Sequence, residues 1–337
     1  MRVAVIGGGG WGTALACLLD SAGHEARVWV RREVLARKIE KTRENADYLP
    51  GVQLPETLHF TPKLSEAAIG VEVLVIAVPS HAVRSIASTL GSLLTTTPLL
   101  VSTSKGIEQD SLQTMSGALT EALPSRFAHK IAVLSGPSFA AEVARGLPTA
   151  VTVAARDQAV ARRIQTLFSA PTFRVYTTTD VIGAEIGGAV KNVIALAVGV
   201  SDGLGYGYNA RAALITRGMA EVVRLATRMG AHPQTLSGLS GMGDLILTCT
   251  SDLSRNRTVG VRLGRGESLE AIQRTMATIA EGIRNCRSIL DLARRLAVDM
   301  PIVEQIYELV YSGKPPTQVV TDLLARQTKA EFPPGAN

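Results

Sequence analysis

Three features of the chain predict an α/β fold in which a doubly wound sheet is followed by an all-helical second domain. Arg2-Val3-Ala4-Val5-Ile6 reads as a short buried strand and runs straight into Gly7-Gly8-Gly9-Gly10-Trp11-Gly12. Through the first half, further short apolar runs end in small or polar residues, as buried parallel strands do. Past about residue 180 the pattern changes to segments of helical length. The expected division is 1–185 for the sheet domain, 186–330 for the helical domain and 331–337 for a frayed tail.

The first strand and its glycines come first. Gly7, Gly9 and Gly12 fill the three positions of the dinucleotide fingerprint of a Rossmann-type domain: one makes the tight turn, one admits a pyrophosphate to the backbone, one lets helix and strand pack closely. A helix beginning near Trp11 offers free N–H groups and its positive dipole end to phosphates, so Gly7, Gly9, Gly10, Trp11 and Gly12 are the first cofactor-binding candidates. Context makes the match specific. An apolar helix, Thr13 to Leu19, follows; Gly23 closes it, and a second strand spans Ala26 to Val30. A secretory leader would need a longer apolar region and a small-residue cleavage site than this start provides.

The end of the second strand bears on cofactor choice. An NAD-only enzyme usually places an acid there to bind the ribose 2′-hydroxyl. This chain has Arg31 and Arg32, with Glu33 only after them. A guanidinium suits a 2′-phosphate and can stack on adenine, so NADP is expected to bind and NAD is not repelled. Two solvated surface arginines are the alternative.

A polar helix, Val34 to Thr42, and an irregular proline-containing stretch to Pro62 come next. Strands are then expected over Val73 to Val78, ending in Pro79-Ser80, and over Leu99 to Ser102, ending in Ser104-Lys105-Gly106. Ile131 to Leu134 ends in Ser135-Gly136-Pro137-Ser138, and Ala150 to Ala154 is a later strand of the same parallel sheet. Helices are expected over Ile182 to Val200, Ala210 to Met229, Leu269 to Thr278, Arg284 to Leu296 and Ile302 to Tyr311.

Composition narrows the function classes. The 337 residues suffice for two cores, and the mean hydropathy of +0.19 with 46% hydrophobic residues fits a compact chain. No apolar run reads as long enough to cross a bilayer. A net charge of +6 and a pI near 9.4 would suit nucleic acid, but no Lys/Arg cluster is interleaved with aromatics. Phosphorylated small ligands explain the excess more simply. Cys17, Cys249 and Cys286 have neither metal-ligand nor disulfide spacing, which suits a reducing cytoplasm, and the five scattered histidines suggest no metal site.

The chemistry gathers in the second half. Lys191 stands within Gly187-Gly188-Ala189-Val190-Lys191-Asn192-Val193-Ile194, among the most apolar segments of the chain. A desolvated lysine shifts its pKa readily and serves proton transfer; alternatively its head snorkels to water. Lys105 and Gly106 stand at a strand end, and Gly136 and Ser138 at another. Gly238-Leu239-Ser240-Gly241-Met242-Gly243-Asp244 places an acid in a loop of small residues; Asp244 is either a site acid or the cap of the next helix. Ser254-Arg255-Asn256-Arg257 is either a fork of donors for a phosphate or carboxylate, or a solvated turn.

Taken together these segments resemble the bacterial-type NAD(P)-dependent glycerol-3-phosphate dehydrogenases. Ala77-Val78-Pro79-Ser80-His81, Leu134 to Ala140, Leu214-Ile215-Thr216-Arg217-Gly218 and Ala280-Glu281-Gly282 belong to the same series, which spans nearly the whole chain in order. The resemblance implies a Rossmann domain with an all-helical substrate-binding domain, NAD or NADP as cofactor, and reversible hydride transfer between nicotinamide and dihydroxyacetone phosphate or sn-glycerol 3-phosphate. It implies Lys191 as catalytic acid/base, Lys105 as a lysine touching substrate and cofactor, and Asp244 as an acid orienting Lys191 or a hydroxyl. Arg255 and Asn256 would grip the phosphate, with Ser254 beside them and Gly136 and Ser138 closing the pocket. Ala140, Arg255, Ile279 and Glu281 would meet the cofactor beyond the glycine loop. Gly10 departs from the family, which usually has serine there. The competing expectations are a 6-phosphogluconate-like or 3-hydroxyacid dehydrogenase and a non-catalytic nicotinamide-sensing module. A homodimer is a further expectation.

Overall fold

The computed structural model describes residues 1–276, 280–328 and 330–331. The expected tail beyond 331 and the expected helical residues Ala277 and Thr278 lie outside the described residues, as does Ile279. The strands are β1 (Arg2–Ile6), β2 (Glu25–Trp29), β3 (Glu44–Asn45), β4 (Leu49–Gln53), β5 (His59–Thr61), β6 (Val73–Ile76), β7 (Leu99–Ser102), β8 (Ile131–Ser135), β9 (Thr149–Ala155) and β10 (Phe173–Thr178). Eight of them form one sheet in the order β10-β9-β8-β7-β6-β1-β2-β5, and β3 pairs with β4 apart from it.

Alternation along β1 shows how the sheet is buried. Val3 and Val5 enter the core on one face, Ala4 and Ile6 the core on the other. The helices among these strands are α1 (Gly10–Ser21), α2 (Glu33–Thr42), α3 (Leu64–Ala68), α4 (Val83–Leu93), α5 (Met115–Ala122), α6 (Ala140–Ala144) and α7 (Gln158–Phe168). Leu15 and Leu19 of α1 pack on the first face; Val83 and Leu90 of α4 and Leu119 of α5 pack on the second. Helices on both faces of a largely parallel sheet make it doubly wound.

Two expectations need correcting here. The stretch before Pro62 is not irregular: β5 extends the sheet beside β2, and the β3–β4 hairpin precedes it. Their runs of two to five residues mix polar and apolar types too closely to show a period. The sheet is also not wholly parallel, because β9 runs antiparallel to β8. Between them lies α6, only five residues long. That is too short to carry the chain back to the amino edge, so β9 starts where β8 ends. β10, parallel to β9, completes this reversed edge and was not anticipated.

The second half is helical: α8 (Val181–Gly203), α9 (Tyr208–Arg228), α10 (Pro233–Leu236), α11 (Asp244–Thr250), α12 (Arg255–Gly264), α13 (Leu269–Thr275), α14 (Glu281–Arg295), α15 (Pro301–Tyr311) and α16 (Pro316–Leu324). α8 is the axle, with α9, α11, α12 and α14 packed around it. It starts firmly: Asp180 accepts from Gly183 N at 2.9 Å as N-cap and from His232 N at 2.9 Å. Contrary to expectation, α8 is long and apolar enough to cross a bilayer, with a mean hydropathy of 1.6 over its best window. Glu185, Lys191 and Asn192 interrupt the run and disguise its length. That window is 94% buried inside the protein, so protein, not lipid, is its solvent.

Candidate active site

The glycine loop is built as its spacing requires. Gly7 has φ +129°, and a Cβ there would stand 2.5 Å from the Ala77 carbonyl oxygen; a Cβ on Gly12 would stand 1.9 Å from that of Gly7. Neither position tolerates a side chain. Around the Cβ position of Gly9, the N-cap of α1, there is nothing within 4 Å, and no side chain caps the helix. The first turn of α1 therefore presents its N–H groups in an open backbone cradle, which fits a pyrophosphate. Asn45, missed in the sequence because its stretch lacked periodicity, donates to Gly8 O at 3.0 Å and to Thr13 Oγ1 at 2.8 Å and fixes this loop. Gly10 lies under the hairpin: a Cβ would meet Tyr48 O at 2.6 Å and the Ala140 methyl at 3.8 Å. Gly10, Ala140 and the partly buried Trp11 are thus gathered at the cradle, and the space for a serine at position 10 is taken up by Tyr48.

Arg31 and Arg32 are exposed just past β2. Arg32 donates to Asp47 Oδ2 at 2.9 Å and lies over the Tyr48 ring, 5.5 Å from its centre.

The lysines and Asp244 converge. Asp244 sits at the start of α11, after a π-helical turn over Leu239–Gly243 that packs on α8, where a Cβ on Gly187 would meet Ser240 O at 2.5 Å. It does not cap α11. Its Oδ1 accepts from Lys191 Nζ and its Oδ2 from Lys105 Nζ at 2.5 Å. Lys191 also donates to Thr248 Oγ1 at 2.9 Å, and that hydroxyl donates to Asp244 O at 2.6 Å. Thr248 carried a legible signal, standing four residues after Asp244 on one helix face. Gly188 makes room for the Lys105 stem, whose Cδ is 3.5 Å from the Cβ position.

Lys191 does not snorkel; it is 7% exposed. Burial lowers its pKa from the usual lysine value to about 8; the Asp244 charge pulls it up and the Lys105 charge pushes it down. Two ammonium groups face one carboxylate, which leaves the site an excess positive charge.

The end of β8 adjoins this cluster. Gly136 has φ +140°, Ser138 Oγ donates to Gly136 O at 3.0 Å, and Pro137 lies against Gly243. Ser254 to Arg257 is not a solvated turn but the start of α12. Ser254 Oγ caps it, accepting from Arg257 N at 3.3 Å. Asn256 is buried and joins three helices: its Nδ2 donates to Asn192 Oδ1 at 2.9 Å and its Oδ1 accepts from Gly282 N at 2.9 Å. Arg257 is spent on Asp202 and Asp252. Arg255 stands exposed on the first turn. Glu281, opening α14, accepts from Ser80 Oγ at 2.9 Å and so brings the helical half to the end of β6.

Comparison with known proteins agrees with this geometry. Residues 2–161 match the family described as NAD-dependent glycerol-3-phosphate dehydrogenase N-terminus, and residues 180–321 the corresponding C-terminus. A glycerol-3-phosphate dehydrogenase (NAD(P)+) of Anaeromyxobacter sp. (strain K) is 52% identical over 98% of this chain and 100% of its own length. The like-named protein of Geobacter sulfurreducens is 51% identical over 98% of each. The crystal structure of glycerol-3-phosphate dehydrogenase from Coxiella burnetii superposes with a TM-score of 0.92 at 36% identity, covering 96% of this chain and 99% of that one.

Proposed function

The chain belongs to the NAD-dependent glycerol-3-phosphate dehydrogenase family, and we propose that Lys191 is the residue that exchanges a proton with its substrate. The protein is an NAD(P)-dependent oxidoreductase that interconverts dihydroxyacetone phosphate and sn-glycerol 3-phosphate, the backbone unit of glycerophospholipids. The hydroxyacid, sugar-acid and non-catalytic readings are not favoured beside relatives of this identity over full length.

NAD(P)H, when bound on the glycine cradle, supplies or accepts the hydride at C2 of the substrate. Lys191 gives a proton to the C2 oxygen as the carbonyl becomes an alcohol and takes it back in the reverse direction. Its lowered pKa suits both directions near neutrality. Lys105 polarises the same carbonyl, and the excess positive charge of the pair with Asp244 stabilises the developing alkoxide in a water-poor site. Asp244 holds one ammonium group on each of its carboxylate oxygens, and this bridge is the observation that carries the reading.

Arg255 is assigned to the substrate phosphate, with Ser254, Gly136 and Ser138 around it and the remaining N–H of Asn256 beside it. Ala140, Arg255, Ile279 and Glu281 are assigned to the cofactor with Arg31 and Arg32. Residues 1–185 are taken as the cofactor-binding domain and 186–330 as the substrate-binding domain. Placement in the cytoplasm accords with three cysteines, all free and buried. A homodimer is the assembly to test by sedimentation. The activity itself is tested by initial rates of NADH and NADPH oxidation with dihydroxyacetone phosphate, set against 3-hydroxy acids in the reverse direction. Turnover only with the latter would overturn it.

A further inference from the structure

The carboxyl edge of the sheet brings three loops side by side. β2, the glycine loop after β1 and the end of β6 are neighbours: Gly7 N donates to Trp29 O at 3.1 Å, and Ala77 N to Ile6 O at 2.9 Å. Arg31 follows the first of these strands, and His81 follows the last. From the helical half, Arg284 on α14 reaches across and donates from Nη1 to His81 Nδ1 at 2.6 Å. An arginine can donate there only if Nδ1 is unprotonated, so the ring stands neutral with its proton on Nε2.

The charges in this corner are unbalanced. Partial burial and the Arg284 charge hold His81 below its usual pKa; Glu281 opposes them, and Arg31 is near enough to add to the depression. Glu281 accepts from Ser80. Among the described residues, no carboxylate forms an ion pair with Arg31 or with Arg284. Arg32, by contrast, already has Asp47. Arg284, bonded to the imidazole, and Arg31, close enough to act on it, therefore come from different halves of the protein, while Glu281, the carboxylate of this corner, is bonded to Ser80 and paired with neither, at the strand ends where the adenosine half of a dinucleotide lies.

We propose that Arg284 and Arg31 together grip the 2′-phosphate of NADP(H), with His81 holding Arg284 in place. The inference rests on the use of NAD(P) by this chain. It makes the helical half a partner in cofactor discrimination, since Arg284 can reach the phosphate only when both halves are in the observed arrangement.

The test uses adenosine 2′,5′-bisphosphate and 5′-AMP as probes, which differ by the 2′-phosphate alone. Their dissociation constants are measured by calorimetry on the wild type, Arg284→Ala and Arg284→Gln. The preference for the bisphosphate should fall about fivefold or more in both variants, the loss expected for one charge-assisted contact at a half-exposed site. The ratio of Michaelis constants, NADPH over NADH, should rise by the same factor. Weakening of both probes by one common factor would overturn the proposal and leave Arg284 as a latch between the halves; so would an unchanged preference. NADH oxidation dependent on dihydroxyacetone phosphate, measured on the same samples, keeps a failure here separate from a failure of the assigned activity.

Discussion

Gly199 of α8 and Gly260 of α12 meet backbone to backbone, so that a Cβ on either would stand 2.8 Å from the other's Cα. Gly203 and Gly264 repeat the contact one turn on, at 3.0 Å. This close crossing sets the start of α12 beside the Lys191 segment and lets the Asn256 amide reach Asn192.

Gly260→Ala should therefore destabilise the protein although alanine is the better helix former. The propensity gain is about 1 kcal/mol, whereas overpacking costs about 1–3 kcal/mol and more where no rotamer can yield. Here the new methyl would sit 2.2 Å from the Leu196 carbonyl oxygen, which is backbone. Differential scanning calorimetry should show a lower unfolding temperature. A higher one would mean that the helices slide apart at no cost.

Lys191→Met should lose roughly 10² to 10⁴-fold in turnover, the usual worth of general acid–base catalysis. The thioether keeps the buried volume without the proton. NADPH binding, followed by fluorescence titration, should survive because the cradle is made by β1 and α1. Near-normal turnover would remove Lys191 from the proposed role.

The pH dependence follows from the same lysine. Reduction of dihydroxyacetone phosphate needs the ammonium form, so its turnover should hold at low pH and fall above about 8. Oxidation of glycerol 3-phosphate needs the free amine and should rise through the same region. Asp244 is a charge that raises this pKa, so Asp244→Asn should move both limbs to lower pH. Limbs that stay put in Asp244→Asn would show that another group titrates.

How much of this was legible beforehand depends on where the information lies. The glycine cradle was legible because much of its constraint is local: Gly7 has φ +129°, and Gly12 is forbidden a side chain by the carbonyl of Gly7 in the same loop. The convergence of Lys105, Lys191 and Asp244 followed from resemblance, not from spacing, since 139 residues separate the first from the last. The reversal of β9 was hidden because an apolar run looks alike in either direction. Asn45 acts through a single buried amide, and a single polar residue leaves no periodic trace; Asn256 was read for a phosphate, whereas its amide also joins helices far apart in sequence, which no local pattern shows.

Arg255 and Asn256 should separate by assay although they are adjacent. Arg255→Ala removes an ionised donor worth about 1.5–3 kcal/mol, so use of dihydroxyacetone phosphate should weaken at least tenfold. Residual activity on unphosphorylated dihydroxyacetone should hardly change. Asn256→Ala should instead lower the unfolding temperature, because the buried Gly282 N loses its acceptor. Equal loss on both substrates in Arg255→Ala would take the phosphate away from it.

Arg31 and Arg32 should contribute unequally to NADPH use. Both follow β2, but Arg32 is held by Asp47, which also takes Lys38, and it rests on the Tyr48 ring. An exposed ion pair is weak, so a 2′-phosphate carrying nearly two charges can draw Arg32 away, but only after displacing that partner. Arg31 has no such competitor among the described residues. Arg31→Ser should thus raise the Michaelis constant for NADPH roughly tenfold, and Arg32→Ser by less, with NADH hardly affected in either. Asp47→Asn supplies the opposite sign: it frees Arg32 and removes a carboxylate that repels the phosphate, so NADPH should bind more tightly. The three Michaelis constants, taken at low and at high salt, decide the matter. If Asp47→Asn weakens NADPH, Asp47 is positioning Arg32 for the phosphate, and the two arginines act as a pair.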